Sequence, residues 1–272
     1  MKCKGKSGGG GNGAPHREGR GEWLYGRRCV IEALRAGRRD MMELRLARGP
    51  RRDEDPETEE MLALARGAHV AVSFVERRDI DQLLGDVNHQ GVALRAHGYP
   101  YGDIEQLLRA VEDDPATTVL ILDHIEDPQN LGSLLRTADA AGVAGVIIPE
   151  DRGALVTPAA SRASAGAAEH LCVVKVVNVA RAMEELKEAG CWITGLDWGE
   201  DAKNYTDVDL AGRVALVVGN EGHGIGRLVR EKCDFIAQIP MEGRVASLNA
   251  SVAGAIVLYE ILRQKNIKAG KA

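Results

Sequence analysis

From Thr118 onwards, short apolar runs alternate regularly with stretches of helical spacing. The apolar runs are rich in Val, Ile and Leu and contain few polar residues, which is typical of strands that are buried on both faces. Strands that alternate with helices along a chain form a mainly parallel sheet with helices on both faces. The sequence therefore predicts an α/β fold for this region. The predicted strands are VLILD, VAGVIIP, LCVVKVV, CWITGLD, VALVVG and FIAQIP.

The region before Thr118 carries a smaller set of the same signals. Helical spacing in VIEALRAGRR is followed by the strand-like MELRLA, a second helix, the strand-like HVAVSFV and a third short helix in DIDQLLG. This order predicts a compact βαβ-type module. Pro and Gly then interrupt the pattern, and helical spacing resumes at Ile104. We therefore expect a small α/β domain over residues 22–98, a linker over 99–112 and a larger domain over 113–268.

Residues 1–21 are rich in Gly and carry several Lys and Arg residues. Such a segment cannot bury enough apolar surface to fold, so we expect a disordered basic tail. The segment has no apolar core of the kind found in secretory signals. No run of about eighteen apolar residues occurs in the chain, so we expect no membrane span.

The five cysteines are scattered, and no two of them form a C-x-x-C pair. No His lies at metal-ligand spacing from any of them. This usage predicts free thiols in a reducing cytoplasm and no metal site.

The net charge of -5 is unevenly distributed. Nine arginines fall between Glu22 and Arg52, and an acidic run follows from Asp53 to Glu60. One interpretation is a solvated helix face beside an acidic loop. The other is a local basic patch that binds phosphates. The net charge alone does not decide between them.

Polar residues cluster after three of the predicted strands, where open α/β sheets bind their ligands. The clusters are Asp123–Gly132, Gly219–Gly224 and Ser247–Ser251. Each also has a purely structural interpretation, because Asp, Asn and Ser cap helices and Gly permits sharp turns. The glycine-rich cluster fits neither the P-loop nor the dinucleotide-binding pattern. His223 is equally compatible with a general base and with a surface residue.

Arg136 follows the first cluster on a predicted helix. Its neighbours Leu134, Leu135 and Ala138 are apolar and are expected to be buried. An arginine in such surroundings is expected to have an anionic partner.

Taken together, the segments DPQNLGSLLRTA, LVVGNEGHG and IPMEGRVASLNASVA resemble the three motifs of the SpoU (TrmH-type) RNA 2′-O-methyltransferases, in the same order. The resemblance covers residues 118–264. The segment from LYGRRCVIEALRAGRR to HQGVALRA also resembles the ribosomal-protein-like RNA-binding domain of the RlmB branch, which methylates guanosine in 23S rRNA.

The resemblance implies a SPOUT fold with a trefoil knot, S-adenosylmethionine (AdoMet) as cofactor, a homodimer and an rRNA substrate. Generic topology rules would argue against a knot. Matching residue by residue, the active-site positions of the family are Asn130, Arg136, Glu221, Ser247 and Asn249. Its cofactor-binding positions match Gly195, Gly219, Ile239 and Leu248.

The expected reaction is methyl transfer from AdoMet to a ribose 2′-hydroxyl. The main expectation for the substrate is a guanosine in 23S rRNA. The alternatives are the same chemistry on tRNA and an RNA-binding protein without catalysis. Neutralising an arginine at pH 7 costs about 7 kcal/mol, so we expect Arg136 to hold a phosphate or the developing alkoxide rather than act as a base. Asn130 and Glu221 would orient it, and Glu221 as the base remains open. Ser247 and Asn249 would position the ribose.

The helix that closes the chain opens with small residues: Ala250, Ser251, Ala253, Gly254 and Ala255. They permit close packing, either on the sheet of the same chain or against a second copy.

Overall fold

The computed structural model describes residues 21–49, 55–220, 222–244 and 247–271. They fall into two compact units that divide between Pro100 and Tyr101. Nearly all of the predicted tail, residues 1–20, lies outside the described residues. None of the helices within the described ranges has the length and hydropathy that a membrane span requires.

The first unit is a four-stranded sheet in the order β1-β4-β2-β3. Strands β2 and β3 are parallel and are connected through helix α2, as the βαβ pattern predicts. Strand β4 runs antiparallel to both β1 and β2. The strands are β1 Glu22–Tyr25, β2 Met41–Ala47, β3 Ala71–Val75 and β4 Val92–Ala96, and the helices are α1 Arg27–Ala36, α2 Pro56–Gly67 and α3 Arg77–Leu84.

Helices cover both faces of this small sheet. Val30 of α1 and Met61 of α2 are buried in one cluster with Leu44 and Leu94 of the sheet. Ile80 of α3 packs on the opposite face. The alternation of side chains along each strand therefore supplies two small cores.

Several arginines of the basic run have carboxylate partners. Arg27 pairs with Asp55 and Glu57, and Arg39, whose side chain is fully buried, pairs with Glu22. These ion pairs favour the structural interpretation for this part of the run. Residues 50–54, which hold its end and the start of the acidic run, lie outside the described residues.

The second unit is a seven-stranded sheet in the order β7-β6-β5-β10-β8-β11-β9, and each neighbouring pair is parallel. Strand β10 lies between β5 and β8 although it follows both in the chain. The strands are β5 Thr118–Asp123, β6 Gly145–Pro149, β7 Val173–Val176, β8 Trp192–Leu196, β9 Lys203–Asn204, β10 Val214–Gly219 and β11 Phe235–Gln238. The helices are α4 Ile104–Asp113, α5 Pro128–Ala140, α6 Pro158–Ala163, α7 Val179–Glu188, α8 Arg227–Glu231 and α9 Ala250–Lys268.

Helices also cover both faces of the large sheet. Helices α4, α7 and α8 bury apolar side chains in one cluster with alternate residues of the strands. Helices α5 and α9 pack together on the other face, where a Cβ on Gly254 would lie 2.6 Å from Leu134 Cδ2. Gly254 therefore serves packing within this chain, whereas Ser251, Ala253 and Ala255 remain partly exposed.

Two segments differ from the sequence-based expectation. The expected linker, residues 99–112, includes most of α4, and Leu107 and Val111 of this helix are buried in the core of the second unit. Helix α4 thus belongs to that unit, because its apolar stripe is covered by it. The helix predicted in TPAASRASAGAAE ends at Ala163, because Ala165 and Gly166 adopt φ of 52° and 89°. Both values lie outside the helical region.

Candidate active site

A pocket of about 410 Å³ lies where strands β8, β10 and β11 end. The loop after each strand contributes to its wall, and the start of α9 closes one side. This is the edge at which parallel α/β sheets bind ligands. The lining residues are Leu196, Asp197, Trp198, Val218, Gly219, Asn220, Gly222, His223, Gly224, Gln238, Ile239, Pro240, Met241, Ser247, Leu248, Ala250 and Ala253.

The loop after β10 is a tight turn that only glycine permits at its base. The Asn220 backbone N–H donates to the Gly224 carbonyl (3.1 Å), and the Gly224 N–H donates to the Asn220 carbonyl (2.8 Å). A Cβ on Gly219 would lie 2.2 Å from the Gly224 carbonyl oxygen. The backbone thus folds directly over Gly219 and forms a pocket wall, because no side chain separates the two segments.

Asn249 joins the third sequence cluster to the first. Its carboxamide oxygen accepts from the backbone N–H groups of Ser251 (3.0 Å) and Val252 (3.3 Å), which caps α9. Its amide nitrogen donates to Asn130 Oδ1 at 2.9 Å. Asn249 can therefore be both the cap of α9 and an active-site residue, because its carboxamide oxygen caps the helix while its amide nitrogen contacts Asn130.

Arg136 does not have the surroundings that the sequence suggested. It is exposed on α5, and within the described ranges it makes no hydrogen bond or ion pair. Its apolar neighbours are buried, but the helix turns by about 100° per residue, so Arg136 lies on the opposite side. The expectation of an anionic partner is not met by any described residue.

The remaining predicted site residues divide into three groups. Gly219, Ile239, Ser247 and Leu248 line the pocket. Gly195 is not among the lining residues, because its α-carbon faces Cys233 and Ile225 on the other side of β8. Glu221 lies outside the described residues.

Asp123 and His124, which open the first sequence cluster, make contacts that the sequence did not predict. Asp123, which is 1% exposed, accepts from the Gly226 N–H (2.7 Å) and contacts His124 Nδ1 (2.7 Å). His124 has a φ of 58°, and its carbonyl accepts from Asn220 Nδ2 at 3.1 Å. These bonds tie the end of β5 to the loop after β10. The only signal in the sequence is an acidic residue that ends an apolar strand.

No group of three or more His, Cys, Asp or Glu side chains in the described parts of the chain is arranged to hold a metal ion.

Comparisons with known proteins identify the class. The model of the SpoU rRNA Methylase family matches residues 117–259, and the model "RNA 2′-O ribose methyltransferase substrate binding" matches residues 23–102. The chain belongs to the SpoU family and is an RNA 2′-O-ribose methyltransferase of the SpoU/TrmH type.

Individual relatives agree with this assignment. A putative TrmH family tRNA/rRNA methyltransferase of Bacillus subtilis, YacO, is 39% identical over 90% of this chain and 96% of its own length. The AdoMet-bound rRNA methyltransferase of Sinorhizobium meliloti has a TM-score of 0.72 at 26% identity, over 90% of this chain and 87% of that one. A TrmH/SpoU tRNA-modifying enzyme of A. aeolicus has a TM-score of 0.52 at 28% identity, over 62% of this chain and 84% of that one.

These findings confirm the predicted family and the predicted fold class, a SPOUT-type parallel sheet preceded by a small α/β domain. SpoU methyltransferases use AdoMet, which confirms the predicted cofactor at the level of the family.

Proposed function

We propose that this protein transfers a methyl group from AdoMet to the ribose 2′-hydroxyl of a guanosine in 23S rRNA. The observation that carries the proposal is the bond between Asn249 and Asn130, 2.9 Å long, beside a pocket lined by Gly219, Ile239 and Leu248. This bond joins the segments DPQNLGSLLRTA and IPMEGRVASLNASVA at one edge of the sheet. The segment LVVGNEGHG forms a wall of the pocket at the same edge.

The share of this chain that aligns with each structurally similar enzyme favours ribosomal RNA over tRNA as the substrate. The S. meliloti rRNA enzyme aligns with 90% of this chain, whereas the A. aeolicus tRNA-modifying enzyme aligns with only 62%. The substrate-binding model, moreover, covers residues 23–102. The choice of guanosine and of 23S rRNA depends on the resemblance of this first domain to that of the RlmB branch. Acting on ribosomal RNA, the enzyme would work in the cytoplasm.

The pocket fits a nucleoside-sized cofactor. Its volume of about 410 Å³ lies within the usual range for ligand sites, and its lining combines aliphatic side chains with a few polar ones. Gly219, Ile239 and Leu248 would hold AdoMet, with Leu196 and Val218 beside them. When bound, AdoMet supplies an electrophilic methyl group.

The chain itself supplies orientation and charge. Arg136 is exposed and has no carboxylate partner among the described residues, so its guanidinium is available to a phosphate or to the developing alkoxide. Asn130, fixed by Asn249, would orient the guanidinium together with Glu221. Ser247 lines the pocket and would position the ribose. Correct placement of the attacking oxygen is worth several kcal/mol in such a reaction.

A homodimer is also part of the proposal. Helices α5 and α9 pack together, and α9 leaves two large apolar side chains on the surface, with Val252 47% and Tyr259 52% exposed. Exposed apolar patches of this kind are typical of interaction sites. A second copy of this chain would cover them.

Tritiated methyl transfer to purified 23S rRNA and to tRNA, followed by mapping of the labelled ribose, tests the function. We expect label in 23S rRNA at one guanosine. Asn249→Ala should lose this label, because it breaks the bond to Asn130, whereas Asn178→Ala, which removes the cap of α7, should keep it. Label in tRNA alone would contradict the substrate. RNA binding without AdoMet binding in calorimetry would indicate a non-catalytic protein.

A further inference from the structure

The loop after β8 places a tryptophan at the mouth of the pocket. Trp198 is among the lining residues, yet 80% of its surface is exposed. A large aromatic side chain that lines a pocket and remains exposed offers a flat face to a ligand. Neither the predicted site residues nor the motif segments include it.

The backbone that carries Trp198 is firmly held. The Arg230 guanidinium donates two bonds to the Asp201 carboxylate, at 3.0 and 2.6 Å, and its Nε lies 3.3 Å from Asp197. Asp197 in turn accepts from the Trp198 N–H at 2.9 Å, and its own N–H donates to the Ala237 carbonyl at 3.0 Å. The loop is therefore tied to α8 and to β11. The backbone that carries the ring is thus ordered before a ligand binds, which lowers the entropic cost of binding.

The surroundings of the ring suit a nucleic acid. His223 and Met241 line the same pocket and are exposed, and Arg244 is exposed three residues beyond Met241. Proteins bind single-stranded RNA with aromatic faces on which bases stack and with cationic side chains that pair with phosphates. Leu196, Val218 and Leu248 also line the pocket, whereas Trp198 is far more exposed than these aliphatic residues.

We propose that Trp198 is a stacking platform for a nucleobase of the RNA substrate at the mouth of the pocket. The inference rests on the proposed function and deepens it, since it names the side chain that receives an unstacked base. Stacking on an aromatic ring tolerates any base, so Trp198 would contribute to RNA affinity more than to the choice of nucleotide.

Kinetics of Trp198→Ala test the platform, with Trp192→Ala as the matched control. Trp192 is also exposed (57%) but stands at the opposite end of β8. For Trp198→Ala we expect the KM for 23S rRNA to rise about tenfold or more. The Kd of AdoMet should change by less than about twofold, and Trp198→Phe should restore most of the affinity for RNA. Trp192→Ala should leave both constants unchanged.

Two outcomes would overturn the inference. If Trp198→Ala weakens AdoMet by the same factor as RNA, the ring serves the adenine of the cofactor. If it changes neither constant, the ring has no ligand.

Fluorescence separates this inference from the proposed function. The chain has three tryptophans, so Trp23→Phe combined with Trp192→Phe leaves Trp198 as the sole indole. We expect saturable quenching by a short single-stranded RNA of mixed sequence and none by AdoMet. An enzyme that methylates no RNA but shows this quenching would refute the function and keep the platform. Quenching by AdoMet alone would refute the platform.

Discussion

Arg136 and Asn130 lie on the same helix, but only Asn130 is held by a described neighbour, Asn249. For Arg136→Lys we expect kcat for methyl transfer to fall at least about tenfold, because lysine keeps the charge but loses the planar fork that binds two oxygens at once. Single-turnover methylation measures this. Arg109→Lys, an exposed change on α4, is the control. Near wild-type turnover for Arg136→Lys would show that charge alone suffices.

Gly219 and Gly222 provide a matched pair in one loop. A Cβ on Gly219 would lie 2.2 Å from the Gly224 carbonyl oxygen, whereas a Cβ on Gly222 would meet only Asn220 Oδ1 at 3.4 Å. We expect Gly219→Ala to lower the free energy of unfolding by at least about 2 kcal/mol, since backbone atoms would have to move apart. Gly222→Ala should change it by less than about 0.5 kcal/mol. Urea denaturation monitored by circular dichroism measures both, and equal effects would contradict the packing described here.

The sequence predicts individual residues unequally well. Asn249 and Asn130 are 119 residues apart, so no spacing rule joins them, and only the resemblance to SpoU enzymes placed them in one site. Arg136 was expected to have an anionic partner because its neighbours are apolar. A helix places consecutive residues on different faces, so apolar neighbours say little about the side chain between them. Trp198 follows a strand as one exposed aromatic, which no sequence pattern distinguishes from a core residue.

At the scale of elements, Lys265 fastens helix α9 to the start of β5. Its ammonium donates to the Ala116 carbonyl and to Thr118 Oγ1, and burial lowers its pKa from 10.5 to about 8. The unfolded chain therefore binds more protons than the folded chain between about pH 8 and pH 10.5. This group makes the free energy of unfolding rise with pH across that window, and its contribution is lost as the pH falls towards 8.

We expect Lys265→Met to remove this rise, which amounts to on the order of 3 kcal/mol over the whole window. Urea denaturation at pH 8 and pH 10 measures it. Lys268→Met, an exposed change on the same helix, is the control. Burial raises the pKa of Cys191 to about 11 and that of Cys233 to about 12, which acts in the opposite direction, so only the difference from wild type is informative. Identical slopes for Lys265→Met and wild type would contradict the assignment.

The sequence predicts elements well where one signal dominates. Strands β5 and β10 are continuous apolar runs and were found within a residue or two. The two-residue strand β9 carries no such signal and was not predicted. Helix α6 ends earlier than the sequence predicts because Ala165, although alanine is a strong helix former, adopts a φ of 52°.

At the scale of the whole molecule, the proposed dimer predicts a specific effect on mass. We expect light scattering at micromolar concentration to give twice the chain mass of 29.2 kDa. Tyr259→Glu should shift the mass towards the monomer, because it places a charge in a covered apolar patch. Val177→Glu, at an exposed valine outside helices α5 and α9, should leave the dimer intact. A monomeric wild-type protein would refute the interface.

The order of the strands was beyond sequence reasoning. Periodicity predicts the strands β5, β8 and β10. The position of β10 between β5 and β8 depends on tertiary packing, which periodicity does not encode. The alternation of strands and helices nevertheless predicts the α/β class, and the resemblance of three short motifs to those of one family implies its SPOUT type.

The late arrival of β10 affects how the enzyme is made. A nascent chain that has emerged only as far as Arg213 can assemble β5, β6 and β7, but β8 still has none of the strands it pairs with, β10 and β11. Strand β8 therefore cannot join the sheet formed by β5, β6 and β7 until β10, Val214–Gly219, inserts between β5 and β8. A polypeptide released early would carry most of its core residues and no place for a methyl donor.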